Sequence, residues 1–402
     1  MTAQDQPFAG PVGMPWRGAA AGFCAVMVGI GLARFAYAPL IPALVEGGWL
    51  SPAAAVYLGA ANLAGYLAGA LTANRVAESV PAPRLIRAAM AVAALSFVAC
   101  ALNWGIAWFT VWRFAAGVCG SLLMVLTPPT LMPHVPPRFR GRVGGIVFTG
   151  LGAGIVLSGT LIPVLAATGL VAAWLGLAVL AAVLTAVGWS GWPQVGAGVP
   201  GSDAGGLPLT AITLPVALLL LAYAGDAMGF VPHTVFFVDY VARGLGRGLA
   251  TGGGYWVLFG IGALAGPMLA GLAAERAGFG RSLTIALLVK GVAVAVLLVS
   301  AHPAVLAVSA LAVGALTPAA ASLASGRVAE IAGPAAQRRL WGWMTSAFAA
   351  AQAGTAYAMS AVFDLTGSHL ILFAAGAAVL LAAGAVSALS VRLAAAQPGR
   401  RT

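Results

Sequence analysis

Five side chains that carry or exchange charge stand inside stretches of the chain that are otherwise apolar: Arg34, Arg113, Asp226, His233 and Lys290. Arg34 sits in VGIGLARFAYAPLIP (28–42), flanked by Phe35 and Tyr37 and followed by Pro39 and Pro42. A guanidinium facing lipid at mid-bilayer costs at least about 2.5–3.5 kcal/mol, so such a residue faces a partner, a wet cavity or an anion. Three chemistries follow: capture of an anion by the arginines, proton uptake by Asp226, or static ion pairing. Asp226 is read as the only carboxylate well inside a span, with a salt bridge to Arg34 or Arg113 as the alternative to proton coupling. His233, seven positions on, lies about two turns away on the same face and would extend a relay, or simply pack through a hydrogen bond. Lys290 is read as packing against a neighbour or snorkelling. Asn62 and Tyr66, four apart on one helix face, and Gln352 would contact substrate or link helices.

Those residues need spans to position them. The chain has 402 residues, 61% hydrophobic and 7% charged, against roughly a quarter charged in soluble domains. Twelve apolar runs are long enough to cross a bilayer, at 18–45, 51–73, 85–103, 106–132, 143–167, 169–190, 209–241, 250–274, 282–300, 303–325, 340–362 and 369–391. None shows the short alternating pattern of barrel strands, so the fold class is an all-α membrane protein. At about 1.5 Å per residue, Arg34 lies some 25 Å along its helix from Arg17, near the midplane.

With an inside N-terminus, fifteen of the twenty basic residues fall in inner loops and tails. Only Arg243 and Arg247 fall outside, and Arg34, Arg113 and Lys290 lie within spans. This positive-inside bias places both termini in the cytoplasm and makes the +11 net charge a topology signal, not a nucleic-acid footprint. The three cysteines, Cys24, Cys100 and Cys119, fall in apolar runs with no metal or disulfide spacing. No P-loop, metal cluster or nucleophile with a triad is present, so no cofactor is expected.

The Gly/Pro-rich stretch beginning GWPQVGAG divides the chain. The expected organisation is a tail 1–17, a six-helix bundle 18–190, a linker 191–208, a second bundle 209–391 and a tail 392–402. The halves echo each other: LAGALTANR (67–75) with LAGLAAER (269–276), and LTPPT (126–130) with LTPAA (316–320). On this reading Asn74 stands where Glu275 stands in the second copy. Gly29, Gly31, Pro39 and Pro42 break the first helix. Gly225, Gly229 and Pro232 break the seventh, and paired breaks point to a binding region between halves.

Twelve spans, a central linker and internal termini resemble the major facilitator superfamily (MFS) over essentially the whole chain. GLAAERAGFGR (271–281) resembles that family's loop motif, with Gly271, Glu275, Arg276, Gly278 and Arg281 in its positions. RFAAGVCG (113–120) is similar to its fourth-helix Arg-x-x-x-Gly-x-x-Gly motif, whereas GLGAGIVLSG (150–159) matches the antiporter motif only in part, with Ile155 at the proline position. Arg34, Phe35, Tyr37, Pro39, Asn62, Gly65 and Tyr66 resemble the YbfB/YjiJ-type subgroup.

The resemblance implies two pseudo-symmetric six-helix bundles that rock about a midplane site, and a loop with a gating charge network. It also implies that the first and fourth helices line one cavity, where Arg34 and Arg113 would share an anion or carboxylate, a structural or gating role being the other reading of the family-wide Arg113. The expected protein is a monomeric secondary transporter of the bacterial inner membrane. It carries a small organic anion or metabolite, with protons as a candidate coupling ion. Proton-coupled multidrug-type efflux is the alternative. An intramembrane enzyme is disfavoured by the lack of a reactive cluster, and a sensor by the short tails.

Overall fold

A computed structural model describes residues 15–136, 139–193 and 213–396; the proposed linker and the outer parts of both tails lie outside this set. Eleven long helices account for nearly all of it. They are α1 (Trp16–Glu46), α2 (Pro52–Ser79), α3 (Ala82–Cys100), α4 (Ile106–Leu131), α5 (Arg140–Ala166), α6 (Leu170–Gly188), α7 (Leu214–Gly244), α8 (Gly248–Ala277), α9 (Phe279–Ala295), α10 (Pro303–Thr366) and α11 (His369–Ala395).

Each contains one stretch long and apolar enough to span a bilayer, eleven in all among the described residues. The twelfth expected run, 340–362, forms the second half of α10, and its Thr345, Gln352, Thr355 and Ser360 dilute its apolarity. A straight helix of 64 residues would reach about 96 Å, three bilayer thicknesses. Both ends of α10 nevertheless meet the same place. Near its start, the Pro303 carbonyl accepts from the Tyr255 hydroxyl, and the Tyr255 ring faces Phe237; near its end, Phe363 packs on Phe236. The helix therefore turns back on itself and supplies the tenth and eleventh crossings.

Small residues let these helices approach. A Cβ on Gly31 would stand 2.7 Å from Gly154 Cα, which fixes α1 against α5. Gly65, Gly69 and Gly117 form the contact between α2 and α4. Gly262, Gly266 and Gly314, each 197 positions later, form the same contact between α8 and α10. This spacing corrects the register read from the sequence. LAG at 67–69 matches LAG at 264–266, so Glu78 corresponds to Glu275 and Arg84 to Arg281, and Asn74 is not the counterpart of Glu275. The LTP echo, 190 apart, lies two turns out of step. Ala/Gly-rich text aligns with itself at several offsets, and only close backbone contact distinguishes them.

Leucine at Gly65 or Gly262 would drive a side chain into the facing backbone of Phe114 or Ala315. Either variant is expected to lower the melting temperature sharply, by the loss of about 1–3 kcal/mol or more that overpacking brings. Gly254→Leu, where nothing lies within 4 Å, should leave it unchanged. Thermal unfolding of the three variants in one detergent checks this.

The two six-helix halves join unevenly. Tyr57 faces Tyr357, Phe35 faces Trp256 and Phe259, and α5 meets α8 at Gly159 and Gly253. These contacts lie at the midplane and toward the face opposite the termini. The apolar cluster nearest the termini on the C-terminal side, including Val216, Ala274, Leu323 and Met344, draws no residue from the first half.

Candidate functional site

The site begins with local departures from α geometry. Met27–Phe35 of α1 is wound as π-helix, and so are Pro232–Phe236 and Tyr240–Gly244 of α7. A π-turn widens the helix and shifts carbonyls out of the i→i−4 ladder, and prolines 39, 42 and 232 remove donors from it. The Ala33 carbonyl, inside this π stretch, accepts from both Asn62 Nδ2 (3.3 Å) and Arg113 Nη1 (3.0 Å). Of the expected breaks, Gly29, Gly31 and Pro232 fall within these π stretches, whereas Pro39, Pro42, Gly225 and Gly229 lie in α-helix beside them; residues of both π-wound regions line one cavity.

That cavity, about 20 Å³, has room for one water-sized group. It lies between the halves and is lined by Arg34, Tyr37, Asn62 and Arg113 from the first half and by Thr234 and Val235 from α7. Arg34 is half-buried; its Nη2 donates to Gln352 Oε1 at 2.6 Å, and its guanidinium lies 5.1 Å from the rings of Phe35 and Tyr66. Arg113 is 1% exposed and lies 4.2 Å over the Tyr37 ring, and Tyr37 is held by donating to the Ala55 carbonyl at 2.8 Å. Asn62 also donates to the Arg113 carbonyl at 3.0 Å, so it ties α1, α2 and α4 together around the arginines.

Among the described residues neither arginine has a carboxylate partner. Arg113 Nε and Nη2 and Gln352 Nε2 are buried without a hydrogen-bond acceptor. Every unsatisfied polar atom of this group is a donor. The rings beneath the guanidiniums offset part of the cost of burial but supply no acceptor.

Asp226 does not join this group. Its Oδ1 accepts from Lys290 Nζ at 2.8 Å, with both side chains at most 1% exposed and the ammonium 4.4 Å from the Phe230 ring. The expected pairing with Arg34 or Arg113 is thereby replaced, and Lys290 neither snorkels nor merely packs. A full-length cation on an apolar helix needs a counter-ion once buried, and the carboxylate 64 positions upstream provides it. His233 is bonded to Ser309 Oγ at 2.9 Å, and that hydroxyl donates to the Ala293 carbonyl. The imidazole stacks on Phe237 with its Nδ1 unpartnered. Its side-chain partner is a hydroxyl, not Asp226, so the relay is not formed here.

A second buried carboxylate escaped the sequence reading. Asp239, fully buried near the end of α7, accepts from His369 Nε2 of α11 at 2.8 Å and lies 3.2 Å from Arg243 Nη1. The i, i+4 spacing of Asp239 and Arg243 was the available signal. The loop motif also differs from expectation. Glu275, Arg276 and Arg281 are exposed, and Gly278 turns the chain with φ +77°. The charge pair beside that turn is Arg327–Glu330, at 2.9 Å, with Glu330 Oε1 accepting from the Phe279 amide.

Comparison with known proteins bears on this geometry. Residues 26–388 match the model of a family described as "Uncharacterised MFS-type transporter YbfB". No curated protein matches the sequence. Among solved structures, the crystal structure of a D-xylose–proton symporter superposes with a TM-score of 0.76 at 14% identity. The match covers 93% of this chain and 97% of that one. At that identity the likeness is one of fold.

Proposed function

Since the chain belongs to the YbfB-type family of MFS transporters, a family of multi-pass membrane proteins with two six-helix halves, we propose that it carries a small organic anion by alternating access. The observation that supports this reading is the donor-only cluster. Two arginines from different helices line one cavity between the halves, with buried donors left over and, among the described residues, no carboxylate to meet them. A carboxylate or phosphate would supply acceptors to Arg34 and Arg113, and Arg presents the planar fork that matches it. Tyr37 and Asn62 hold Arg113, and Tyr66 holds Arg34. In this structure the cavity admits one water-sized group, so the organic part of the anion is proposed to enter as the halves part.

Contacts joining the halves away from the termini fit a state closed on that face, with opening toward the termini. With both termini cytoplasmic, as the arginine bias favours, this is the inward-facing side of a bacterial inner membrane. A monomer suffices, because the cavity is complete within one chain. Proton coupling is assigned to the Asp226–Lys290 pair. A proton on Asp226 leaves the Lys290 ammonium uncompensated, adding a third positive charge to the two arginines, so proton and anion binding favour each other.

A thermal-shift screen of purified protein tests the substrate class. Acetate, lactate, benzoate, succinate and phosphate are compared with cationic dyes and neutral sugars, because a ligand bound to the folded state raises the melting temperature by mass action. At least one organic anion is expected to stabilise the protein. Stabilisation by cationic dyes alone would transfer the reading to multidrug-type efflux.

A further inference from the structure

Away from the central cavity, the outer surface of the first half carries a groove of about 580 Å³ between α3 and α6. Ligand pockets span roughly 300–1,000 Å³. This open surface groove is lined by Ala91 and Ala94 from α3 and by Ala182, Thr185 and Ala186 from α6, with Trp189 at the end nearer the termini. Thr185 does not make it polar, because its hydroxyl is spent on the Ala181 carbonyl at 2.7 Å.

The Trp189 end carries charge. Arg87 Nε donates to the Trp189 carbonyl at 2.8 Å, and its guanidinium stands 5.7 Å from the Trp189 ring. Among the described residues this leaves both terminal nitrogens of Arg87 without a hydrogen bond and the guanidinium without a carboxylate. Arg84, exposed and three positions earlier, shares its side of α3. Both lie on the membrane face that carries the termini. From Arg87 to Ala94 the helix rises about 10 Å, which takes the groove from the interface well into one leaflet of a hydrocarbon core about 30 Å thick.

We propose that this groove holds one anionic phospholipid of the leaflet on the side of the termini. An acyl chain lies along the alanine floor, and the phosphate is bound by Arg87 with Arg84 beside it. Basic side chains at the cytoplasmic mouth of an interhelical groove select an anionic lipid over a zwitterionic one, and Trp189 marks the headgroup level. The alanines matter because larger side chains would fill the seat of the chain.

Native mass spectrometry of the full chain, reconstituted with equal phosphatidylglycerol and phosphatidylcholine and released from mild detergent, reads the site. Wild type is expected to retain one phosphatidylglycerol. Arg87→Ala and Ala186→Phe should each reduce that adduct at least tenfold, Arg87→Lys should keep part of it, and Arg392→Ala should keep it in full. Equal retention of both lipids, or an adduct indifferent to Arg87 and Ala186, overturns the proposal. So does a dimer that Ala186→Phe dissociates, since a second copy would then occupy the groove. Should a variant prove too unstable to ionise intact, melting in nanodiscs decides. Wild type should melt higher in phosphatidylglycerol than in phosphatidylcholine, and an equal difference in Arg87→Ala overturns the lipid site.

Discussion

Replacing Arg113 by glutamine is expected to reduce uptake of the carried anion into proteoliposomes by about 100-fold or more, while leaving the protein folded. Hydrogen bonds to charged groups contribute about 1.5–3 kcal/mol each, and the longer end of that range corresponds to roughly two decades in affinity. The structural cost should be small, because Arg113 makes one hydrogen bond to protein, at the Ala33 carbonyl, and its other nitrogens have no acceptor. A residue retained only for packing would behave in the opposite way. Its removal would lower the melting temperature and spare uptake by the folded fraction. Arg34→Gln should lose uptake as well, with a further effect on the link to Gln352, which bridges the halves. Parallel uptake and melting curves for both variants separate the two accounts.

Lys290→Met is expected to be among the most destabilising single substitutions. It leaves Asp226 as a fully buried carboxylate without a counter-ion, and breaking such a pair costs about 3–5 kcal/mol. Adding Asp226→Leu should restore most of the loss, because replacing both members of a buried pair by apolar residues of similar volume is often nearly neutral. The double variant also tests coupling. Anion affinity of wild type should rise as pH falls, for a probe anion whose own charge is constant over the range. The double variant should bind with a pH-independent affinity. Recovery of stability with an unchanged pH dependence would confine the pair to a structural role and move coupling elsewhere. Asp239 with His369 is the next buried group to test.

The contrast between what the sequence disclosed and what it hid follows sequence separation. Span existence was readable because the apolar runs are long, and the breaks in α1 and α7 because glycine and proline act locally. Arg34 and Arg113 were recognisable as out of place in hydrocarbon, whatever surrounds them. Their partners were not, since the Arg34–Gln352 contact joins positions 318 apart. Lys290 was misread for the same reason. Its helix gives no hint of Asp226, and a lysine near lipid can always snorkel. Asp239 was hidden by position, since a carboxylate near the end of a span reads as interfacial until His369 of another helix closes over it. The internal repeat was visible, but its register required the glycine contacts. The reversal within α10 was legible as the interval between the apolar runs at 303–325 and 340–362.

On this reading the cavity between the halves binds an anion through Arg34 and Arg113. Isothermal titration of the most stabilising organic anion from the screen into wild type, Arg113→Gln and Arg34→Gln tests it most directly. The expected result is saturable one-site binding to wild type, weakened about 100-fold or more in each folded variant. Unchanged affinity in both variants would contradict the account and place the anion elsewhere in the molecule.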